Sequence, residues 1–184
     1  MGEIKSAIEL AMERTKNLRL SKEEKEQLKE EEIHSKAHGL VNRFLEIDFH
    51  FREAEKELAQ YDPELRARME KLMLQYFAEA IHLAKDNDLI FQGIETLAAG
   101  SSGLITKTRE LAEKYQKAEE KEEQKIRKGL LSNLEKLGIS GSAVEPKVEG
   151  SQDWKVALAK LSSKFESELR DLKEGLSQLS LKKR

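Results

Sequence analysis

Two Glu-x-x-His spacings mark the residues most able to hold a metal, Glu31 with His34 and Glu79 with His82. On a helix this spacing projects a carboxylate and an imidazole from one side, the donor pattern of di-iron bundles. His38, one turn beyond His34, offers a simpler clip for one divalent ion, with Glu31 as a third ligand. The di-iron arrangement fails on register. If two helices fold back at Asp62, His34 and His82 end up offset by about 10 Å at 1.5 Å per residue, too far for shared bridging carboxylates. Glu-rich helices also generate the motif by chance, so no metal or other cofactor is expected, and a metal-binding bundle stands only as an alternative.

Nucleophilic chemistry finds less support. The chain contains no cysteine, which removes disulfides, thiolate nucleophiles and cysteine-type zinc sites and fits a reducing compartment. His50 lies between Phe49 and Phe51 with no acid or hydroxyl spaced to complete a nucleophile, base and orienter set. Gly100, Ser101, Ser102 and Gly103 open a helix, where backbone N–H groups can receive an anion. They lack the lysine and flanking strand of a nucleotide loop and read as a turn. No enzymatic activity is expected.

The elements that carry these residues are helical throughout. Charged residues make up 37% of the 184 positions, aromatics 5%, and prolines number two, a composition typical of long helices and coiled coils. The 33 basic and 35 acidic side chains nearly cancel, so no global field gathers nucleic acid or coats a membrane. Lys182, Lys183 and Arg184 form a tail too small to alter that. A nucleic-acid-associated coiled coil is therefore the weaker alternative. No apolar run approaches the ~18 residues of a membrane span, and the start of the chain lacks signal-peptide order, which reads as cytoplasmic. Met1, Gly2 and Ser6 match a short acylation pattern that an ordinary helix start also explains.

A short amphipathic helix places Ile4, Ile8, Ala11, Thr15 and Leu18 on one face. Ser21 and Glu24 form a capping-box pattern that starts a second helix. Its seam runs through Ile33, Ala37, Leu40, Phe44, Ile47, Phe51, Ala54, Leu58 and Tyr61, an unbroken heptad ladder. Period-two alternation at Leu45, Ile47, Phe49 and Phe51 would suit a strand, but the helical ladder covers both flanks. Asp62 and Pro63 supply a cap and first-turn proline for a third helix, expected to run on to Ala99 with Asn87 in its seam, a break at the poor helix formers Asp86, Asn87 and Asp88 being the alternative. On that reading Asn87 fixes register at some cost, and replacing it by leucine raises the melting temperature. After the Gly100 turn a fourth helix begins near Leu104, solvated around 117–125 where charges occupy every face, and ends at Gly138. The last helix follows Trp154, Leu158, Leu161, Phe165, Leu169, Leu172 and Leu176, with a stutter between Phe165 and Leu169.

The expected fold is all-α: an elongated antiparallel helical bundle or coiled coil of about five helices, with 22–60, 63–99 and 104–137 side by side. Residues 1–138 form the bundle, 139–153 a linker or docking loop, and 154–184 the closing amphipathic helix. The expected function is a non-catalytic interaction, scaffold or adaptor protein that presents helix faces to a partner or to another copy of itself. Val144, Val148 and Trp154 give the 139–154 segment the apolar anchors of a recognition element, although Trp154 also heads the last helix's seam and core packing is its stronger reading. Asn87 is the polar residue of the third helix's seam.

Overall fold

Ser21 starts the first described helix in the way its capping box requires: its hydroxyl accepts from Glu24 N at 3.1 Å, and its own N–H donates to Glu24 Oε2 at 2.6 Å. The structure is a computed structural model that describes residues 21–46, 51–141 and 144–182. The helix around Ile4, the acylation pattern, Ile47, Phe49, His50, Lys183 and Arg184 lie outside them. Among the described residues there are six helices and no strand: α1 Lys22–Leu45, α2 Phe51–Leu58, α3 Pro63–Glu79, α4 Asp88–Leu97, α5 Ser102–Lys136 and α6 Gln152–Ser177. The all-helical expectation holds, whereas the count of five and the arrangement of long rods need correction.

The 22–60 ladder is interrupted. α1 ends at Leu45 with Glu46 extended at ψ 143, and α2 lies back against it. Arg43 donates two parallel hydrogen bonds to Glu57, of 2.8 and 2.6 Å, across 14 residues that a straight helix would spread over about 21 Å. The Phe44 and Phe51 rings likewise meet edge-on at 5.4 Å. Ladder residues on both sides of the break, Ala37, Leu40, Phe44, Ala54 and Leu58, remain buried in one cluster. The heptad period thus marks what is buried, not a continuous rod.

The 63–99 helix is also two. Asp62 Oδ1 caps α3 by accepting from Leu65 N at 3.0 Å, as read from the sequence. Helical structure stops at Glu79, and α4 returns so that Gly93 sits against the Phe77 ring. Asp86, Asn87 and Asp88 prevail here over the preserved period, because short polar side chains offer the backbone competing hydrogen bonds. Asn87 is buried, but as the organiser of this turn. Its amide accepts from His82 N at 3.0 Å and donates to His82 O and Lys85 O at 2.8 and 2.9 Å. It is no seam residue.

α3 is the central element, packing on α1, α4 and α6, whereas α5 takes α6 as its principal neighbour. The three expected central helices therefore do not stack side by side. The main core gathers residues of α1 to α4 with Ile105 of α5 and Leu176 of α6. A smaller cluster joins Leu83 to Leu111 and Tyr115 of α5 and Leu161 of α6. The α6 stutter lies between these two attachments: Leu161 and Phe165 face α5, and after it Leu176 enters the main core. An extra residue rotates the apolar stripe, and α6 reaches the main core while Leu169 and Leu172 still pack on the smaller cluster.

Two lysines bind α3 and α6 reciprocally. Lys71 of α3 donates to Ser177 O and Leu179 O at 2.8 and 3.2 Å, and Lys173 of α6 donates to Glu79 O at 2.8 Å. Each ammonium thus satisfies carbonyls left free at the other helix's C-terminus, where the dipole favours a cation. Burial pushes the Lys173 ammonium below its usual pKa, with Glu79 opposing. Lys71→Met and Lys173→Met keep the aliphatic stems and remove the donors, and each should cost about 1 to 2 kcal/mol in urea unfolding.

Past α6 the chain pairs with the end of α4. Ala98 and Leu181 form an antiparallel bridge, with Ala99 N donating to Ser180 O at 3.0 Å and Lys182 N to Leu97 O at 2.8 Å. The whole α5–α6 hairpin thus leaves and rejoins the body at one place. Gly100, at φ 71, makes the exit turn.

Candidate functional site

The histidines of α1 meet a tyrosine, not a metal-ligand set. His34 Nδ1 and the Tyr76 hydroxyl of α3 share a hydrogen bond of 2.8 Å, and the His38 ring lies edge-on to Tyr76 at 4.9 Å. His38 Nδ1 is also 3.4 Å from Asn42 Nδ2. Glu31, Glu79 and His82 are exposed, and His82 stands in the turn after α3, so the two Glu-x-x-His pairs are not brought together. Among the described residues no three His, Asp or Glu side chains are placed to hold a metal ion.

The 139–153 connection is built from the end of α5. Gly138, at φ 77, terminates that helix with Gly138 N donating to Glu135 O and Ile139 N to Leu134 O, both at 3.0 Å. These are the two bonds of a Schellman motif, expected from the Gly138–Ile139 pair. The apolar side chains there stay in solvent: Leu137 is 75% exposed and Ile139 49%. Val148 is buried, Val144 half-buried, and Ser151 caps α6 by accepting from Trp154 N at 3.2 Å. Trp154 is 8% exposed, so it packs inward and presents little anchor surface. The hydrogen bond that Arg127 donates to Glu123 raises the Arg127 pKa, and Glu145 and Glu149 lie near enough to α5 to add to it.

Beyond Ala118, α5 contributes nothing to either apolar cluster, and neither does α6 before Leu161. This distal part of the hairpin carries a cleft of about 600 Å³ between the two helices. Its floor is Ala118, Ile126, Val156, Ala157 and Leu161; its rim is Lys121 and Lys125 from α5 and Lys160 and Lys164 from α6, with Glu122 and Asp153. Val156 is 43% exposed. Lys125 is 3.5 Å from Glu122, and Lys164 lies 5.9 Å from the Phe165 ring centroid. Lys121 and Lys160 form no ion pair with the described residues.

The opposite side of the hairpin carries the other sign. Glu119, Glu120 and Glu123 of α5 and Glu149 of the connection surround Gln116 and Trp154. Within 117–125, charged on every face in the sequence, helical angle thus sets Lys121 and Lys125 on the cleft with Glu122 beside them, and Glu119, Glu120 and Glu123 on the other side as a glutamate wall. The signal was present as lysines four apart at 117, 121 and 125 and again at 160 and 164. It acquires meaning only once α5 and α6 are known to be neighbours.

No protein family, curated protein or solved structure matches the chain.

Proposed function

We propose that this is a non-catalytic helical interaction protein, a scaffold or adaptor of the cytoplasm, that works through its α5–α6 hairpin. The cleft on that hairpin carries the reading. The seam residues Ala37, Leu40, Phe44, Ala54 and Leu58 of the body are buried against neighbouring helices, whereas the α5–α6 pair keeps an apolar floor open to solvent. An open apolar groove between two helices is a common receiver of a third helix. The α1 to α4 body then serves as the mount that fixes the hairpin's roots.

Affinity capture from the native cell, with the full chain and with Val156→Glu, tests the reading. Val156 is exposed, so a carboxylate there leaves the fold intact while placing a charge on the floor. Partners enriched by the original chain should fall several-fold with the variant, at unchanged circular dichroism. Recovery of the same set by both chains would rule out the cleft as the working surface.

A further inference from the structure

We infer that the α5–α6 cleft receives an acidic amphipathic helix from a protein partner, an inference that rests on the interaction reading above. The floor sets the first requirement. Ala118 and Ala157 are small and leave room between the larger Ile126, Val156 and Leu161, so the ligand must bring large aliphatic side chains along one line. A helix supplies these at i, i+3 or i+4 and i+7.

The rim sets the second requirement. Lys121 and Lys125 rise from one wall and Lys160 and Lys164 from the other, each pair four residues or about 6 Å apart along its helix. A helix lying in the cleft would therefore meet ammonium groups on both flanks of its apolar stripe. Carboxylates at both flanking positions complement them. Because Lys121 and Lys160 have no ion-pair partner among the described residues, an incoming carboxylate displaces no existing bond there.

Other occupants match one requirement and miss the second. A nucleic-acid backbone would satisfy the lysines but leave the apolar floor uncovered. A second copy could offer its glutamate wall, but the one large apolar residue there, Trp154, is already buried and cannot fill the floor.

The test uses the full chain and a labelled five-turn peptide of about 18 residues, with leucines on one stripe and glutamates on both flanks. Its charge-reversed counterpart has lysines in place of the glutamates. Fluorescence anisotropy should show micromolar binding of the acidic peptide that weakens with salt, and no binding of the basic one. Lys121→Glu combined with Lys160→Glu should weaken the acidic peptide by about tenfold or more. Unchanged affinity in that variant, or no binding of the acidic peptide at all, overturns the inference. So does a DNA duplex binding in its place, or light scattering in which self-association is abolished by the same two substitutions. Loss of native partners on Val156→Glu without any peptide binding would sink this partner class alone. Unchanged capture would sink the interaction reading itself.

Discussion

Truncating Phe77 to alanine should cost about 3 to 5 kcal/mol of unfolding free energy, measured in urea. The ring is fully buried at the centre of the main core. It meets Phe44 of α1 edge-on at 5.4 Å and lies directly under Gly93 of α4. Its removal therefore opens a void between three helices at once. The same contact makes Gly93 intolerant in the opposite sense. A Cβ added there would stand 2.5 Å from Phe77 Cζ and 2.8 Å from the two flanking ring carbons. Gly93→Ala should lose about 1 to 3 kcal/mol or more through overpacking. In a Phe77→Leu background most of that loss should disappear, because the obstructing ring edge is gone. Simple additivity of the two substitutions would contradict this account.

Asn87→Leu should lower the melting temperature, the reverse of what a seam asparagine predicts. The substitution removes three hydrogen bonds that close the turn between α3 and α4, leaving His82 N, His82 O and Lys85 O without their partner. A cost of about 2 to 3 kcal/mol follows if these groups rehydrate only in part. Asn87→Asp separates the roles: it keeps an acceptor for His82 N and loses the donor to the two carbonyls. Amide exchange at His82 should rise in the leucine variant and less in the aspartate one. A melting temperature raised by leucine would restore Asn87 to a helix seam.

These two sites show where the sequence was and was not readable. Local chemistry was legible: the Ser21 capping box, the Asp62–Pro63 start and the Gly138 termination all form as their residue types require. Burial was legible too, since Ala37, Leu40, Phe44, Ala54 and Leu58 share one core. Continuity was not. A heptad period states which residues face apolar surroundings, and a chain that breaks and folds back can satisfy it as well as a rod. Phe44 and Phe51 meet across such a break. Partner choice was likewise hidden. Nothing local distinguishes α6 from α4 as the neighbour of α5, and without that pairing Lys121 and Lys160 read as unrelated surface charges.

The bridge between Ala98 and Leu181 has a consequence for how far the hairpin reaches. Its two roots are clamped together, so matched turns could be added to or deleted from both limbs beyond Leu161 without moving either root. Each added turn would carry the tip outward by about 5.4 Å, and the closure entropy of the longer excursion would grow only logarithmically. The hairpin is in this sense a ruler: its number of turns fixes a distance, while the stability of the body is fixed elsewhere.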